Sequence, residues 1–155
     1  MTKTMSMSEY AEQVGQELGP SSWFEITQQR VNQFADATND HQFIHVDPVK
    51  AAQTPFGGPV AHGFLTLSLV PALLAENAAE IEGLVMAVNY GSDRVRFLQP
   101  VPVGSRIRAR QKLLEVTEKI PGRWLNRSLV TVDIEGQENP ALVAEFLAMM
   151  MIHSS

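Results

Sequence analysis

An α+β fold, in which one long central helix is wrapped by a curled antiparallel β-sheet, is what this sequence predicts, and three observations carry the prediction. The segment from Gly63 to about Ala79 is apolar nearly all round, and a helix of that kind has to be buried on several sides. Four long strand-like runs follow it, with no further helical pattern between them. The connections between those runs are short and rich in turn residues, which favours hairpins over crossovers. A curled sheet around one helix satisfies the need to bury that segment. A length of 155 residues gives a single domain, 1–155, with a real hydrophobic core.

Residues up to about Met7 read as a loose end. Ser8 to Glu17 is a short helix closed by Gly19-Pro20, and Trp23 to Ile26 is a short strand. Thr27 then serves as an N-cap, with Val31, Phe34 and Ala35 at helical spacing and an end near Thr38. The stretch from Asn39 to His45 has no clean period. Asp47-Pro48 opens the next helix, with aspartate as the cap and proline in the first turn, and the helix covers Val49 to about Gln53. Pro55 to Pro59 is a loop by composition. Inside the long apolar helix, Pro71 removes one ladder hydrogen bond and predicts a kink. Val85–Leu98, Arg106–Val116, Trp124–Ile134 and Ala141–Ile152 are the four runs, expected as one meander. Pro100 to Gly104 and Glu135 to Pro140 turn the chain between them.

Hydrophobic residues make up 45% and charged residues 19% of the chain, the balance of a globular protein. A formal net charge of −5 argues against general nucleic-acid binding, which needs basic surface. With no cysteine, disulfides and thiolate metal sites are excluded. The first residues hold one lysine and no apolar run of signal-peptide length, and no stretch has the apolar length of a membrane span. A cytoplasmic protein that does not engage membranes is expected.

Asp40 and His45 stand close together in the segment without a period. A carboxylate and an imidazole on one loop can grip a single water, one group taking a proton while the other supplies one. The same spacing also fits a turn-capping Asp40 and a satisfied buried His45. A metal reading needs His41, His45 and Asp47, but that spacing matches no standard zinc pattern and no further cluster completes it; no metal is expected. His62-Gly63 opens the apolar helix. Its first N–H groups lack internal partners and sit at the positive end of the helix dipole, so an N–H there can bind a carbonyl oxygen and stabilise a developing enolate. Equally, Gly63 can serve close packing alone. Gly57-Gly58 precedes Pro59 and makes no phosphate loop. Arg94, Arg96, Arg106, Arg108 and Arg110 read first as a solvated strand face, with pairing to coenzyme phosphates as the other reading. Met149 to Met151 read as core or interface filler.

Taken together, Phe34-Ala-Asp-Ala-Thr-Asn-Asp40-His-Gln-Phe-Ile-His45-Val-Asp47-Pro and Gly58-Pro-Val-Ala-His62-Gly63-Phe-Leu-Thr resemble the hydratase motif of the MaoC-like family. Val95-Arg96-Phe97-Leu98-Gln99-Pro100-Val101, followed by Gly104, resembles the same family's second strand and turn. The similarity runs from about Val14 to Met151. It implies a hot-dog fold and a homodimer whose sheets join edge to edge. It implies a trans-2-enoyl thioester substrate, carried by coenzyme A or acyl carrier protein, and an (R)-3-hydroxyacyl thioester product. Asp40 and His45 are implied to hold the water and move protons, and the Gly63 N–H to polarise the thioester carbonyl. No cofactor is implied; coenzyme A arrives as part of the substrate. Asn39 replaces the family's glycine before the aspartate, and Gln42-Phe43 stand where Asn-Pro is common. This version resembles the NodN-like branch, which includes mycobacterial-type enoyl-CoA hydratases. Gln42, His62, Asn89 and Arg96 are the candidate substrate-binding residues. Two other functions fit a hot-dog frame, because fold does not fix function: acyl-CoA thioester hydrolysis, and non-catalytic binding of acyl thioesters.

Overall fold

Ser6 opens the first helix. In the computed structural model, which describes residues 4–153, the Ser6 hydroxyl accepts from the Glu9 N–H and the Glu9 carboxylate accepts from the Ser6 N–H. This reciprocal cap satisfies two orphan donors. Helix α1 (Met7–Ala11) stops short of the expected Ser8–Glu17 helix. Gly15 turns the chain and donates its N–H to Leu113 O, which frees Glu17–Leu18 to form strand β1 against β4 (Arg106–Ile120). Met5 and Met7 are not a loose end. Met5 bridges Ile81, and Met7 is buried with Tyr10, Ile81, Leu113 and Met150 in a small cluster under α1.

Strand β2 (Phe24–Glu25) falls inside the expected run. Helix α2 (Gln28–Thr38) is capped by Thr27, whose hydroxyl accepts from the Arg30 N–H at 3.2 Å. A one-turn helix α3 (Phe43–Val46) occupies the stretch that showed no period. Helix α4 (Pro48–Ala51) begins as predicted, with Asp47 Oδ1 accepting from the Lys50 N–H at 3.0 Å. The long helix α5 (Gly63–Ala75) starts at Gly63 and ends four residues before Ala79, with Pro71 inside it.

Strands β4, β5 (Arg123–Ile134) and β6 (Leu142–Ile152) form the expected antiparallel meander. Strand β3 (Leu84–Phe97) does not continue it. It pairs with β6, Phe97 opposite Leu142 and Leu84 opposite Ile152, so the order is β1-β4-β5-β6-β3 with β2 also on β4. The connection after β3 crosses over because it is hydrogen-bonded elsewhere. Ala61 N–H donates to Val101 O, Val103 N–H to Pro59 O and Gly104 N–H to Ile26 O. These bonds carry the chain across to the far edge of the meander.

The inward columns of the meander alternate as strands should. Ile107 and Ala109 on β4, Val130, Val132 and Ile134 on β5, and Leu142 and Ala144 on β6 are buried against Leu65, Leu69, Val70 and Leu73 of α5. The other side of α5 is bare within one chain: Phe64 is 65% exposed, and Pro71, Ala72 and Ala75 are exposed. The helix is therefore covered on one side only, the sheet is not closed, and β3 carries exposed apolar residues along most of its length. Among the described residues no helix is long and apolar enough to cross a membrane.

Candidate active site

Asn39 ends α2 with φ 57, in the left-handed region, its N–H on Ala35 O. Glycine and asparagine are the residues that tolerate this position, which explains why asparagine can stand where the family pattern has glycine. The turn delivers Asp40, whose own N–H also reaches Ala35 O at 3.2 Å. Its carboxylate is exposed and accepts weakly from the Gln42 N–H at 3.4 Å. His45 follows on α3 and is 7% exposed. Its Nδ1 lies 2.6 Å from Val60 O. A carbonyl only accepts, so Nδ1 carries the hydrogen and Nε2 keeps a lone pair. His62, 3% exposed, caps α5 and sets its Nε2 2.9 Å from the Asp40 carbonyl. By the same reasoning Nε2 is protonated there, and the buried Nδ1 is a lone pair without a partner among the described residues. The two imidazoles stack at 3.8 Å and 24°, and Phe34 tilts against His62 at 4.9 Å.

Ligand-type atoms of Asp40, His45 and His62 lie within 4.8 Å of one another. One oxygen at about 2.8 Å from two such atoms spans that gap. A metal ion suits the cluster poorly. Imidazole lone pairs lie in the ring planes, and stacked rings hold them side by side, whereas zinc needs them convergent at about 2.1 Å. The sequence-level trio is dispersed: His41 is on the surface with Nε2 2.8 Å from Asp36 Oδ1, and Asp47 is occupied in capping α4. Burial lowers the pKa of His45 below the ordinary 6.5, since charging an imidazole out of water is unfavourable. The Val60 hydrogen bond and Asp40 oppose this, and neighbouring His62 adds to it.

The N–H groups of Gly63 and Phe64, at the start of α5, have no acceptor among the described residues. They adjoin the histidine pair through His62. A Cβ on Gly63 would meet ring carbons of Phe97 at 3.0–3.1 Å. Gly63 thus packs tightly on one side while its N–H stays free, so the two readings of this glycine coexist. Thr66, one turn on, is buried with an unpartnered hydroxyl and lines a small cavity with Gly63 and Phe97. Gln28 fixes the loop from below, its Nε2 donating to His45 O at 2.8 Å and to Asn32. Gln28 and Thr66 escaped the sequence reading. A hydroxyl in an apolar helix was a usable signal for Thr66; Gln28 offers none.

Gln42 caps α3 beside Asp40. Arg96 sits at the Phe97 end of β3, exposed, with its guanidinium donating to Val95 O. Asn89 is not brought to the pair within one chain. It lies eight residues before Phe97, roughly 25 Å along an extended strand, and faces a cavity beside the second half of α5. That cavity holds about 290 Å³. The arginine row is mostly committed to cross-strand acids: Arg106 pairs with Glu135, Arg108 and Arg110 with Asp133, and Arg94 with Glu145.

A curled antiparallel sheet on one long helix, with a carboxylate and two imidazoles clustered at that helix's N-terminus, defines a hot-dog protein. The sequence pattern that describes the MaoC like domain matches residues 9–136. The chain belongs to the MaoC-like family and to its NodN-like branch, and it is an enzyme of the hydratase/dehydratase kind. It is 48% identical over 140 residues to 3-hydroxyacyl-thioester dehydratase Z of Mycobacterium tuberculosis, covering 90% of this chain and 92% of the relative. It is 45% identical over 147 residues to nodulation protein N of Rhizobium leguminosarum bv. viciae, covering 94% and 91%. The solved (R)-hydratase from Aeromonas caviae, involved in PHA biosynthesis, superposes with a TM-score of 0.71 at 25% identity, covering 87% of this chain and 94% of that one.

Proposed function

We propose that the chain adds water to trans-2-enoyl thioesters, giving the (R)-3-hydroxyacyl thioester, and runs the reverse dehydration. One observation carries the reading: ligand-type atoms of Asp40, His45 and His62 lie within 4.8 Å of one another, and His62 directly precedes Gly63, whose N–H has no acceptor among the described residues. A water held between Asp40 and His45 loses a proton to the pair as its oxygen bonds to C3. A proton is returned to C2, so the elements of water are added and none is left over. The negative charge that develops on the thioester oxygen is met by the Gly63 N–H at the positive end of α5. The two proton transfers are divided between Asp40 and His45. His62 holds the Asp40 carbonyl and the face of His45, so it positions the pair. Coenzyme A or acyl carrier protein enters as part of the substrate, and no metal or redox cofactor takes part.

The working unit of this reading is a homodimer. Strand β3 leaves one edge without a neighbour among the described strands, and an open apolar edge invites pairing. Two copies related by a two-fold axis pair the same edge antiparallel. Helix α5 runs opposite to β3, since Gly63 lies at Phe97 and the far half of α5 shares a cavity with Leu84, Val88 and Asn89. Pairing centred near Tyr90-Gly91 sets Phe97 of one chain beside Leu84 of the second copy. The catalytic pair of one chain then faces the cavity of the other, which takes the acyl tail.

The test is hydration of crotonyl-CoA and longer enoyl-CoAs by the purified protein, with chiral analysis of the product. The (R)-alcohol alone is expected. Release of free thiol without hydration selects a thioesterase, and binding without turnover selects a carrier. Asp40→Asn and His45→Gln are each expected to lower turnover by about 10²–10⁴-fold with unchanged circular dichroism. Full activity in either variant rejects the pair.

A further inference from the structure

The 290 Å³ cavity has an uneven wall. On its open side lie exposed Pro71, Ala75 and Val88. Its inner wall lies on β5 and β4, two and three strands in from β3, or roughly 10–14 Å at the usual strand spacing. The inward column of β5 reads Asn126, Ser128, Val130, Val132, Ile134, so its apolar pattern breaks where the cavity is. Polar side chains on a core face raise the question of what they bind.

These groups form a directed chain. Ser128 Oγ donates to Asn126 Oδ1 at 3.2 Å, and Asn126 Nδ2 donates to Tyr10 Oη at 2.9 Å. Tyr10 is 5% exposed and Ser128 4%. The asparagine and the serine hydrogen are thereby used, while Tyr10 Oη accepts and its own hydrogen has no acceptor among the described residues. A buried donor left over at the end of an apolar cavity is matched by a ligand that brings an acceptor. Burial holds the phenol pKa above its ordinary value, so the hydroxyl stays neutral and able to donate.

We infer that this cavity selects an acyl chain carrying a hydrogen-bond-accepting oxygen near its far end, held by the Tyr10 hydroxyl through the Tyr10–Asn126–Ser128 chain. The inference rests on the hydratase reading for its route to the cavity. At about 30 Å³ per water-sized group, the space holds roughly ten heavy atoms, so the tail is of medium length. The oxygen is uncharged: among the described residues no cationic side chain lines the cavity, and an unpaired carboxylate there would be strongly disfavoured.

The experiment compares trans-2-decenoyl-CoA with its 9-oxo counterpart. One neutral hydrogen bond predicts kcat/KM about three- to tenfold higher for the 9-oxo chain. Tyr10→Phe is expected to erase that preference, so that the two chains give the same kcat/KM. Equal values in the wild type, or a Tyr10→Phe loss that is the same for both chains, overturns the inference. The wild-type comparison stands even if the variant fails to fold. Should neither chain be hydrated, the hydratase reading fails separately. Calorimetric binding of saturated decanoyl-CoA against 9-oxodecanoyl-CoA then decides the cavity alone, with tighter binding of the 9-oxo chain supporting it and equal binding rejecting it.

Discussion

His45 is surrounded so that its neutral form wins. Burial and the stacked His62 both disfavour the imidazolium, and the opposing pulls of the Val60 bond and Asp40 do not cancel them. The folded pKa therefore lies below the ordinary 6.5, and the sign of the consequence is definite. Between that lowered value and 6.5, the unfolded chain binds a proton that the folded chain does not. Stability thus falls as pH drops across this window and levels off beneath it. The acid limb of kcat/KM should have its midpoint below 6.5, with the His45 ring carbon signals titrating in the same range by NMR. A midpoint at or above 6.5 contradicts this environment. Asp40→Asn combined with His45→Gln should cost little more than either change alone, because the proposed mechanism has the two act on one water. At this scale the sequence was informative only in part. Asp40, His45 and Gly63 were visible through their shared motif, and the structure clusters Asp40 and His45 with His62, the residue before Gly63. Missing from the sequence was the partner of each nitrogen. His62 spends one nitrogen on a backbone carbonyl twenty-two residues back, a contact no local pattern encodes.

The elements that hold these residues were legible where caps and breakers act locally. Thr27, Asp47-Pro48 and Gly63 each open a helix as their chemistry requires. Asp47→Ala removes the side-chain acceptor from Lys50 N–H and should destabilise by about 1 kcal/mol. For a chain of this size that is a fall of about 2–4 °C in Tm, read by calorimetry. Turnover should stay within a few-fold of the parent, since Asp47 caps the next helix and does not join the Asp40–His45 cluster. A collapse of activity at unchanged Tm would instead return Asp47 to the site. Helix α3 was invisible because four residues carry too little periodicity, and its lone turn is held by Val60 and Gln28 from outside. The place of β3 beside β6 is not encoded locally, for a related reason. Turn composition between Leu98 and Ser105 suggested a hairpin, but the hydrogen bonds that decide its course run to Ile26, Pro59 and Ala61.

For the whole molecule, the apolar character of α5 and β3 exceeds what one chain buries. Tyr90 is 65% exposed, Val85 60% and Phe64 65%, although the sequence pattern of α5 is that of buried structure. The surplus is explained if a second copy covers it, and that arrangement has a consequence stronger than size. Wild-type protein should sediment at twice 17.1 kDa. Val85→Asp with Tyr90→Asp should give monomers, because like charges at a desolvated two-fold edge repel. In the proposed dimer, edge pairing also divides each working site between chains, with the Asp40–His45 pair from one and the acyl cavity from the other. Ala75→Trp, an exposed position on α5 at the cavity, should block the cavity while leaving its own pair intact. Alone, Ala75→Trp and His45→Gln should both fail to hydrate a decenoyl chain. Mixed by refolding or co-expression, half of randomly assembled dimers are hybrids, and each hybrid regains one intact site of two. About a quarter of wild-type activity should return on that counting. A site contained within one chain predicts no recovery at any mixing ratio, so a flat result rejects the shared site even if the protein proves to be dimeric.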